Sequence, residues 1–387
     1  MIQLPPLYPI TDPCRDASLC EQVKKFGEAG FPLVQFRGKP LDAKAQFDEL
    51  ITALRQSFDN GGWPLICVND RADLAVLTAQ EGFAPWGVHL GQMDLPPFEA
   101  HRLPGLAQIH IGTSTHDESE WSSVDPACDH AGVGPFRATA TKPDHEVPIG
   151  LNGLRKGCTA LRSIDIAPIA IGGVARDDFD EVFAAGAESI ALISELDRIN
   201  PMDLAWAAQA ARWKARPPFR RGQGIALAGS SGAGKSTVAS ALGPRLELPV
   251  LDLDGLIEKK SGLSIADIFN THGEAEFRRL EIEILSSNLD RPSVVALGGG
   301  AWESPGIRNV LTASGFAVLW IAETPQACWS RIAADPARPL AKDRAGFLSR
   351  HRGRMPDWCG LPLLLPLGRG PDEIAEMAAA ALGAVPK

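Results

Sequence analysis

Lys235, Ser236 and Thr237 follow Gly229, Gly232 and Gly234 in the pattern G-x-x-x-x-G-K-[ST], a spacing that can hold a triphosphate. The glycines let successive backbone N–H groups turn toward phosphate oxygens at the positive end of a helix. Lys235 can reach the β- and γ-phosphates, and the Ser236 hydroxyl is placed to ligate Mg²⁺. The flanks are what the loop requires: 224–228 is a short apolar run that reads as a buried strand, and 238–246 carries apolar residues at helical spacing. Downstream, the run 249–251 leads to Asp252 and Asp254. Two residues apart on a strand, these carboxylates share a face, so one can serve the Mg²⁺ shell and the other a substrate hydroxyl. The segment 273–278 opens a helix that brings Arg278 toward the site, and the strand 293–297 runs into Gly298, Gly299 and Gly300, where bare backbone can approach a ligand. Arg338 lies in a proline-broken stretch that can act as a lid, followed by Arg350, Arg352 and Arg354. Arg-rich stretches usually form solvated faces; one functional arginine among the three suffices for this reading.

These groups need a scaffold, and so does the chain ahead of them. Eight short apolar runs recur before residue 214, at 7–11, 32–36, 64–68, 86–90, 108–112, 129–134, 168–172 and 189–193, each followed by a segment able to form a helix. The clearest of those segments are 18–29, 41–58, 177–185 and 201–213, the last opening on Asn200-Pro201. Near-continuous apolar strands alternating with helices indicate a parallel sheet covered on both faces. Eight such units in about 210 residues predict a (β/α)₈ TIM barrel, with an open doubly wound sheet as the alternative. The whole chain is then α/β: a barrel over 1–214, a linker over 215–223 rich in Pro and Gly, and a P-loop kinase-type domain with a parallel sheet over 224–387.

Polar residues gather where the eight runs end. Gln35, Arg37 and Lys39 follow the second; Asn69, Asp70 and Arg71 the third; His89, Gln92 and Asp94 the fourth; Thr113 and Ser114 the fifth. Thr139, Thr141 and Lys142 lie after the sixth, then Gly172, Gly173 and Ser194. A barrel puts all these loops on one face, where such folds place their active sites. Asp70 and Asp94 are hard oxygen ligands suited to Mg²⁺, and Arg37, Lys39 and Lys142 supply charge for a diphosphate. Gly173 and Ser194, after the last two strands, sit where barrels hold a phosphate monoester. The plainer readings are an Asp70–Arg71 ion pair and a Gly172-Gly173 tight turn, and His89 and His116 read as structural.

Composition sets the outer limits. Hydrophobic residues at 45% supply ample core, and a net charge of −9 without any basic tract excludes a nucleic-acid partner. Seven cysteines without C-x-x-C spacing read as reduced thiols, and no apolar run approaches the length of a membrane span. A cytoplasmic protein acting on small molecules is expected, with a homo-oligomer left open.

The N-terminal motifs resemble thiamine phosphate synthase. The match rests on Gln35-Phe36-Arg37-Gly38-Lys39, Asn69-Asp70-Arg71-Ala72-Asp73, His89-Leu90-Gly91-Gln92-Met93-Asp94, Gly112-Thr113-Ser114-Thr115-His116, Thr139-Ala140-Thr141-Lys142 and Ile171-Gly172-Gly173-Val174, in order. The resemblance implies joining hydroxymethylpyrimidine diphosphate to a thiazole phosphate, with diphosphate leaving first. It also implies Mg²⁺ on Asp70 and Asp94; Arg37, Lys39, Asn69, Ser114 and Lys142 around the diphosphate; Gln35 at the pyrimidine; and Thr139, Thr141, Gly173 and Ser194 at the thiazole phosphate. Gly38 stands where that family has a glutamate, and Phe136-Arg137-Ala138 replaces an apolar segment.

The C-terminal series resembles shikimate kinase, through the P-loop, D-x-D, G-E-x-x-F-R, G-G-G and R-P-L in family order. That resemblance implies ATP as phosphoryl donor, with Asp254, Arg278, Gly299, Gly300 and Arg354 holding shikimate and the arginines meeting its carboxylate. Asp252 would support Mg²⁺ and Arg338 would close over the ATP phosphates. Trp358 stands where a tyrosine is usual. The joint expectation is a bifunctional enzyme. Two other readings are a kinase acting on a thiamine precursor alcohol, and a barrel that only senses thiazole phosphate.

Overall fold

Eight short parallel strands make the sheet of the first of two units, Met1–Ala215 and Arg216–Lys387. The computed structural model describes residues 1–39, 41–138, 147–333 and 343–382. The strands are β1 (Leu7–Pro9), β2 (Leu33–Phe36), β3 (Leu65–Asn69), β4 (Gly87–Leu90), β5 (His110–Thr115), β6 (His130–Val133), β7 (Ala167–Ala170) and β8 (Ser189–Leu192). Every residue of β2, β4, β6, β7 and β8 is buried, as a parallel sheet covered on both faces requires. Neighbours in sequence pair in order from β2 to β8, and β8 pairs with β1. A parallel bridge between Ile10 and Gln35, with Thr11 N–H donating to the Gln35 carbonyl at 2.9 Å, brings β1 beside β2. The sheet is therefore nearly closed. An open doubly wound sheet would reverse its strand order, and this one never does.

Local chemistry sets the crossovers. Ser18 caps the helix Leu19–Glu28 through a capping box with Glu21, and Asp42 caps Ala43–Asp59 by accepting from Ala45 N–H at 2.9 Å. Asn200 Oδ1 accepts from Met202 N–H at 2.9 Å, opening Pro201–Ala215 as the Asn-Pro pair predicts. Only four- and five-residue helices, Pro97–Ala100 and Glu118–Ser122, follow β4 and β5. The fifth strand runs three residues further than the apolar run, so Thr113 and Ser114 belong to β5 and do not follow it. Of the two, Ser114 faces His89 Nε2 at 3.0 Å, and Thr113, on the opposite face, is buried.

Two features inside this unit specify its packing. Glu188, 5% exposed, binds Arg212 at 2.5 Å and Arg162 at 3.1 Å, so one buried carboxylate joins the start of β8 to two helices. On the sheet, a Cβ at Gly112 would fall 2.0 Å from His130 Nε2. His130 stacks on His89 at 5.6 Å, and burial pulls its pKa down to about 3, so the ring stays neutral.

The second unit is a five-stranded parallel sheet of β9 (Ile225–Ala228), β10 (Val250–Asp252), β11 (Val294–Ala296), β12 (Ala317–Ile321) and β13 (Leu363–Leu364), in the order β10-β11-β9-β12-β13. The chain leaves β9 to one side first and returns to the other later, so the loop after β9 lies at the switch point where such sheets bind ligands. No described helix is long and apolar enough to cross a membrane. Trp358, which stands where a tyrosine is usual, is core: it is 1% exposed and stacks on Trp320 at 5.9 Å.

Gly112→Ala should destabilise the first unit by about 3 kcal/mol, because an added Cβ collides with a ring that cannot move outward. Denaturant unfolding of the full chain would read it, and the double variant with His130→Ala should recover much of the loss.

Candidate active sites

In the first unit the carboxyl ends of β2 to β5 bring four polar loops together. Asp70, directly after β3, takes a left-handed backbone (φ 63°) while its N–H extends the ladder to the His89 carbonyl at 2.7 Å. Its carboxylate meets Lys39 Nζ, from beyond β2, at 2.5 Å. Asp94 folds back so that Oδ2 accepts from Gly91 N–H at 2.7 Å. A Cβ on Gly91 would stand 3.0 Å from Asp94 Oδ2 and 3.8 Å from Asp70 Oδ1, which places the two carboxylates around one glycine. Burial would raise the Asp70 pKa, but Lys39 outweighs it and holds the group below its usual value. Asp94 is shifted the other way, by burial and by the charge of Asp70, against the Gly91 N–H. Two neighbouring carboxylates, one of them paired with a lysine, are a donor set that fits Mg²⁺ plus substrate phosphate oxygens. Arg71 pairs with Asp73 at 2.6 Å, so the plain Asp70–Arg71 ion pair does not form.

Ser114 is held from two sides. His89 Nε2 lies 3.0 Å from its Oγ, and Gln92 Nε2 donates to its carbonyl. His89 therefore belongs to the site, contrary to the structural role expected for it. The signal available in sequence was its place at the end of an apolar run, one strand from Ser114. His116 is structural, its Nδ1 3.0 Å from Glu120 Oε2 beside a helix start.

Gln35 is buried in β2, Asn69 ends β3, and Arg37 is tied through its backbone to Thr11 Oγ1 at 2.9 and 3.1 Å. Gly173 has φ 67°, and its missing Cβ leaves room for the Arg137 and Ala138 carbonyls at 2.9 and 3.1 Å. Ser194 opens an exposed turn after β8. Arg137 is neutralised by Asp178, and its guanidinium lies 4.7 Å over the Phe136 ring, so the extra charge is absorbed locally. Thr139, Thr141 and Lys142 lie outside the described residues, as does Arg338.

The second unit holds a cavity of about 220 Å³ lined by Gly232, Gly234, Lys235, Ser236, Thr237, Asp252, Asp254 and Gly299, together with Ser231, Leu297, Arg331 and Ile332. Gly229, Gly232 and Gly234 all have positive φ, and the helix Lys235–Leu246 starts directly behind them. Lys235 Nζ donates to the Gly229 and Ser230 carbonyls at 2.9 Å each, so the loop carries its cation folded onto itself. Asp252 and Asp254 do not share a strand face. The strand stops at Asp252, which accepts from Gly255 N–H at 3.3 Å as an N-cap, and Asp254 sits in the first helical turn. A capping aspartate ends the extended backbone earlier than apolar pattern alone indicates. Both carboxylates still line the cavity. Ser236 and Asp252 there form a hydroxyl and carboxylate pair that fits Mg²⁺ with nucleotide phosphates.

Gly299 lines this cavity, and it and the glycines on either side are each required by a different close neighbour. A Cβ at Gly298 would meet Glu281 Oε1 at 2.8 Å and Asp254 Oδ1 at 2.9 Å, and one at Gly299 would meet Ser231 Oγ at 2.3 Å. At Gly300 it would meet Arg354 Nη2 at 2.7 Å and Arg278 Nη2 at 2.8 Å. Sequence reasoning singled out the three glycines but missed Glu281 and Arg331. Glu281 is fully buried one helical turn after Arg278 and pairs with it. Its i+3 spacing from Arg278 was the available signal. Arg331 Nη1 donates to the Gly232 carbonyl at 2.9 Å and pairs with Glu323 at 2.7 Å.

Fold and geometry together define an α/β protein with two candidate sites, each at the carboxyl ends of a parallel sheet. Comparison with known proteins gives these sites families. Residues 7–196 match the thiamine monophosphate synthase model, and residues 231–354 match the shikimate kinase model. The thiamine-phosphate synthase of Chloroflexus aurantiacus is 40% identical over 167 residues, covering 43% of this chain and 71% of that protein. That of Gloeobacter violaceus is 39% identical over 188 residues, 48% of this chain and 51% of its own, so the chain spans about half the length of that relative. The chain belongs to the thiamine-phosphate synthase family, with a shikimate kinase-like second domain. Among solved structures, a thiamine phosphate pyrophosphorylase from Pyrococcus furiosus is 28% identical, covers 54% of this chain and 94% of its own, and gives a TM-score of 0.43. A shikimate kinase from Acinetobacter baumannii in complex with shikimate is 29% identical, covers 41% and 91%, and gives 0.38.

Burial pushes the Glu281 pKa up to about 7 against the pull of Arg278, with Asp254 and Glu274 adding to the rise. A carboxyl raised above its ordinary 4.5 in the folded protein stabilises the fold fully below that pH. The contribution is lost as pH rises through the folded value. Wild-type stability should therefore fall between about pH 4.5 and 7 more steeply than that of Glu281→Gln, as urea midpoints at pH 5 and 7.5 would show.

Proposed function

We propose that the chain is a bifunctional enzyme. Its first unit, read as a (β/α)₈ barrel, joins hydroxymethylpyrimidine diphosphate to a thiazole phosphate, and its second transfers phosphate from ATP to a small alcohol of the shikimate type. The observation that carries the first activity is Lys39 against Asp70 at 2.5 Å, with Asp94 beside it around Gly91. Asp70 and Asp94 would hold Mg²⁺, which supplies charge to the departing diphosphate. Lys39 and Arg37 add fixed positive charge on the same side, where preorganised cations count most as negative charge develops. Ser114, oriented by His89 and Gln92, gives the diphosphate a hydroxyl donor. Asn69 and Lys142 complete the diphosphate side, Gln35 faces the pyrimidine, and Thr139, Thr141, Gly173 and Ser194 bind the thiazole phosphate. A merely sensing barrel would have no need of a diphosphate set, so its retention supports catalysis.

In the second unit Gly229, Gly232, Gly234, Lys235, Ser236 and Thr237 would hold the nucleotide phosphates, with Asp252 in the Mg²⁺ shell and Arg338 closing over them. ATP supplies the transferred group. Asp254 accepts the proton of the acceptor hydroxyl, and Arg278, Gly299, Gly300 and Arg354 seat the acceptor. What supports this is Asp252, Asp254 and Ser236 lining one cavity with the loop lysine.

Two activities on one chain should be separable. Asp70→Asn should lower thiamine phosphate formation about 10²- to 10³-fold while sparing ATP turnover, and Lys235→Ala should do the reverse. Adding shikimate, hydroxymethylpyrimidine or hydroxyethylthiazole to the full chain with ATP and Mg²⁺, and measuring ADP, tests the acceptor. Stimulation by shikimate is expected. Stimulation only by the pyrimidine or thiazole alcohol would replace this acceptor with a thiamine precursor.

A further inference from the structure

The acceptor pocket already contains a carboxylate. Glu303 ends the short turn Ala301–Glu303 after the glycine triplet and forms an ion pair with Arg354 Nε. A Cβ on Gly300 would lie 2.7 Å from Arg354 Nη2, 2.8 Å from Arg278 Nη2 and 3.0 Å from Glu303 Oε1. Two guanidinium groups and one carboxylate thus converge on a single bare backbone position. The arrangement is built, because the turn and the helix Arg344–Cys359 that carries Arg354 are tied together. Trp302 Nε1 donates to the Asp357 carbonyl at 3.1 Å, and Arg308 Nη1 to Asp357 Oδ1 at 2.9 Å.

The contact is nonetheless an incomplete one. Arg354 Nε is buried and has no hydrogen bond of proper geometry, so Glu303 contributes charge without the aligned fork that a guanidinium prefers. Arg354 is 17% exposed and Glu303 43%. The carboxylate can therefore return to water at little cost, whereas the guanidinium cannot. Arg278 is not available in the same way, since Glu281 and Glu274 hold it from within its own helix.

We propose that Glu303 is a specificity-determining residue, an internal anion that competes with an acceptor's carboxylate for Arg354. The proposal rests on the acceptor site assigned above. A carboxylated acceptor must displace Glu303, so its apparent affinity is reduced by the fraction of molecules in which Arg354 is free. An uncharged alcohol makes no such demand. Glu303 thereby narrows the advantage that the arginines give an anionic acceptor over a neutral one.

Equilibrium binding of shikimate and of neutral hydroxyethylthiazole to the full chain, wild type against Glu303→Gln and Glu303→Ala, tests this. Both variants should bind shikimate about tenfold more tightly relative to the neutral alcohol, the size expected from releasing one charge-assisted contact. The gain should shrink at high salt. Unchanged or weaker shikimate binding in both variants, with the unfolding transition intact, overturns the proposal, as does absence of shikimate binding in all three proteins. Binding in the variants without ATP turnover on shikimate by wild type would uphold the competing carboxylate while refuting shikimate as the natural acceptor.

Discussion

Cations that await an anion have to be kept somewhere, and that constraint shapes both sites. A buried cation without a partner is costly, and the largely exposed Lys39, like the buried ones, is held on a partner from its own chain. Lys39 rests on Asp70, Lys235 on two carbonyls of its own loop, Arg278 on Glu281 and Arg354 on Glu303. These partners are not equivalent. The Lys235 carbonyls are neutral, and phosphate oxygens outcompete them easily. Asp70 is an anion that a metal can satisfy once the lysine turns to substrate. Glu303 has no such second use, and for that reason its presence bears on which substrates enter.

Much of the scaffold was legible because parallel strands buried on both faces write themselves as apolar runs. All eight runs before residue 214 became strands, and the ladder order follows the chain. The limits of pattern reading have local causes. The β5 strand runs on through Thr113 and Ser114 because their backbones continue the ladders to β4 and β6 whatever their side chains. Asp252 ends its strand by capping the next helix, which moved Asp254 off the expected face without moving it out of the cavity.

The candidate site was legible where a motif fixed the spacing and opaque where a partner came from elsewhere. Asp70 and Asp94, 24 positions apart, could be paired in advance because each follows an apolar run and β3 and β4 are neighbours. Glu303 and Arg354 pair across 51 positions with no such guide. Neither residue type nor period announces such a pair. His89 was misread for a related reason: nothing next to it in sequence shows Ser114 facing its Nε2 from the adjoining strand. Closely packed glycines were the most informative residues in retrospect. Gly112, Gly298, Gly299 and Gly300 each mark a place where a side chain from another element already stands.

The last two of these have a mechanical meaning. Gly299 abuts Ser231 of the nucleotide loop, and Gly300 abuts the two arginines of the acceptor side. On the proposed reading, adjoining residues of one peptide unit border the donor side and the acceptor side, so any shift of this backbone displaces both subsites together.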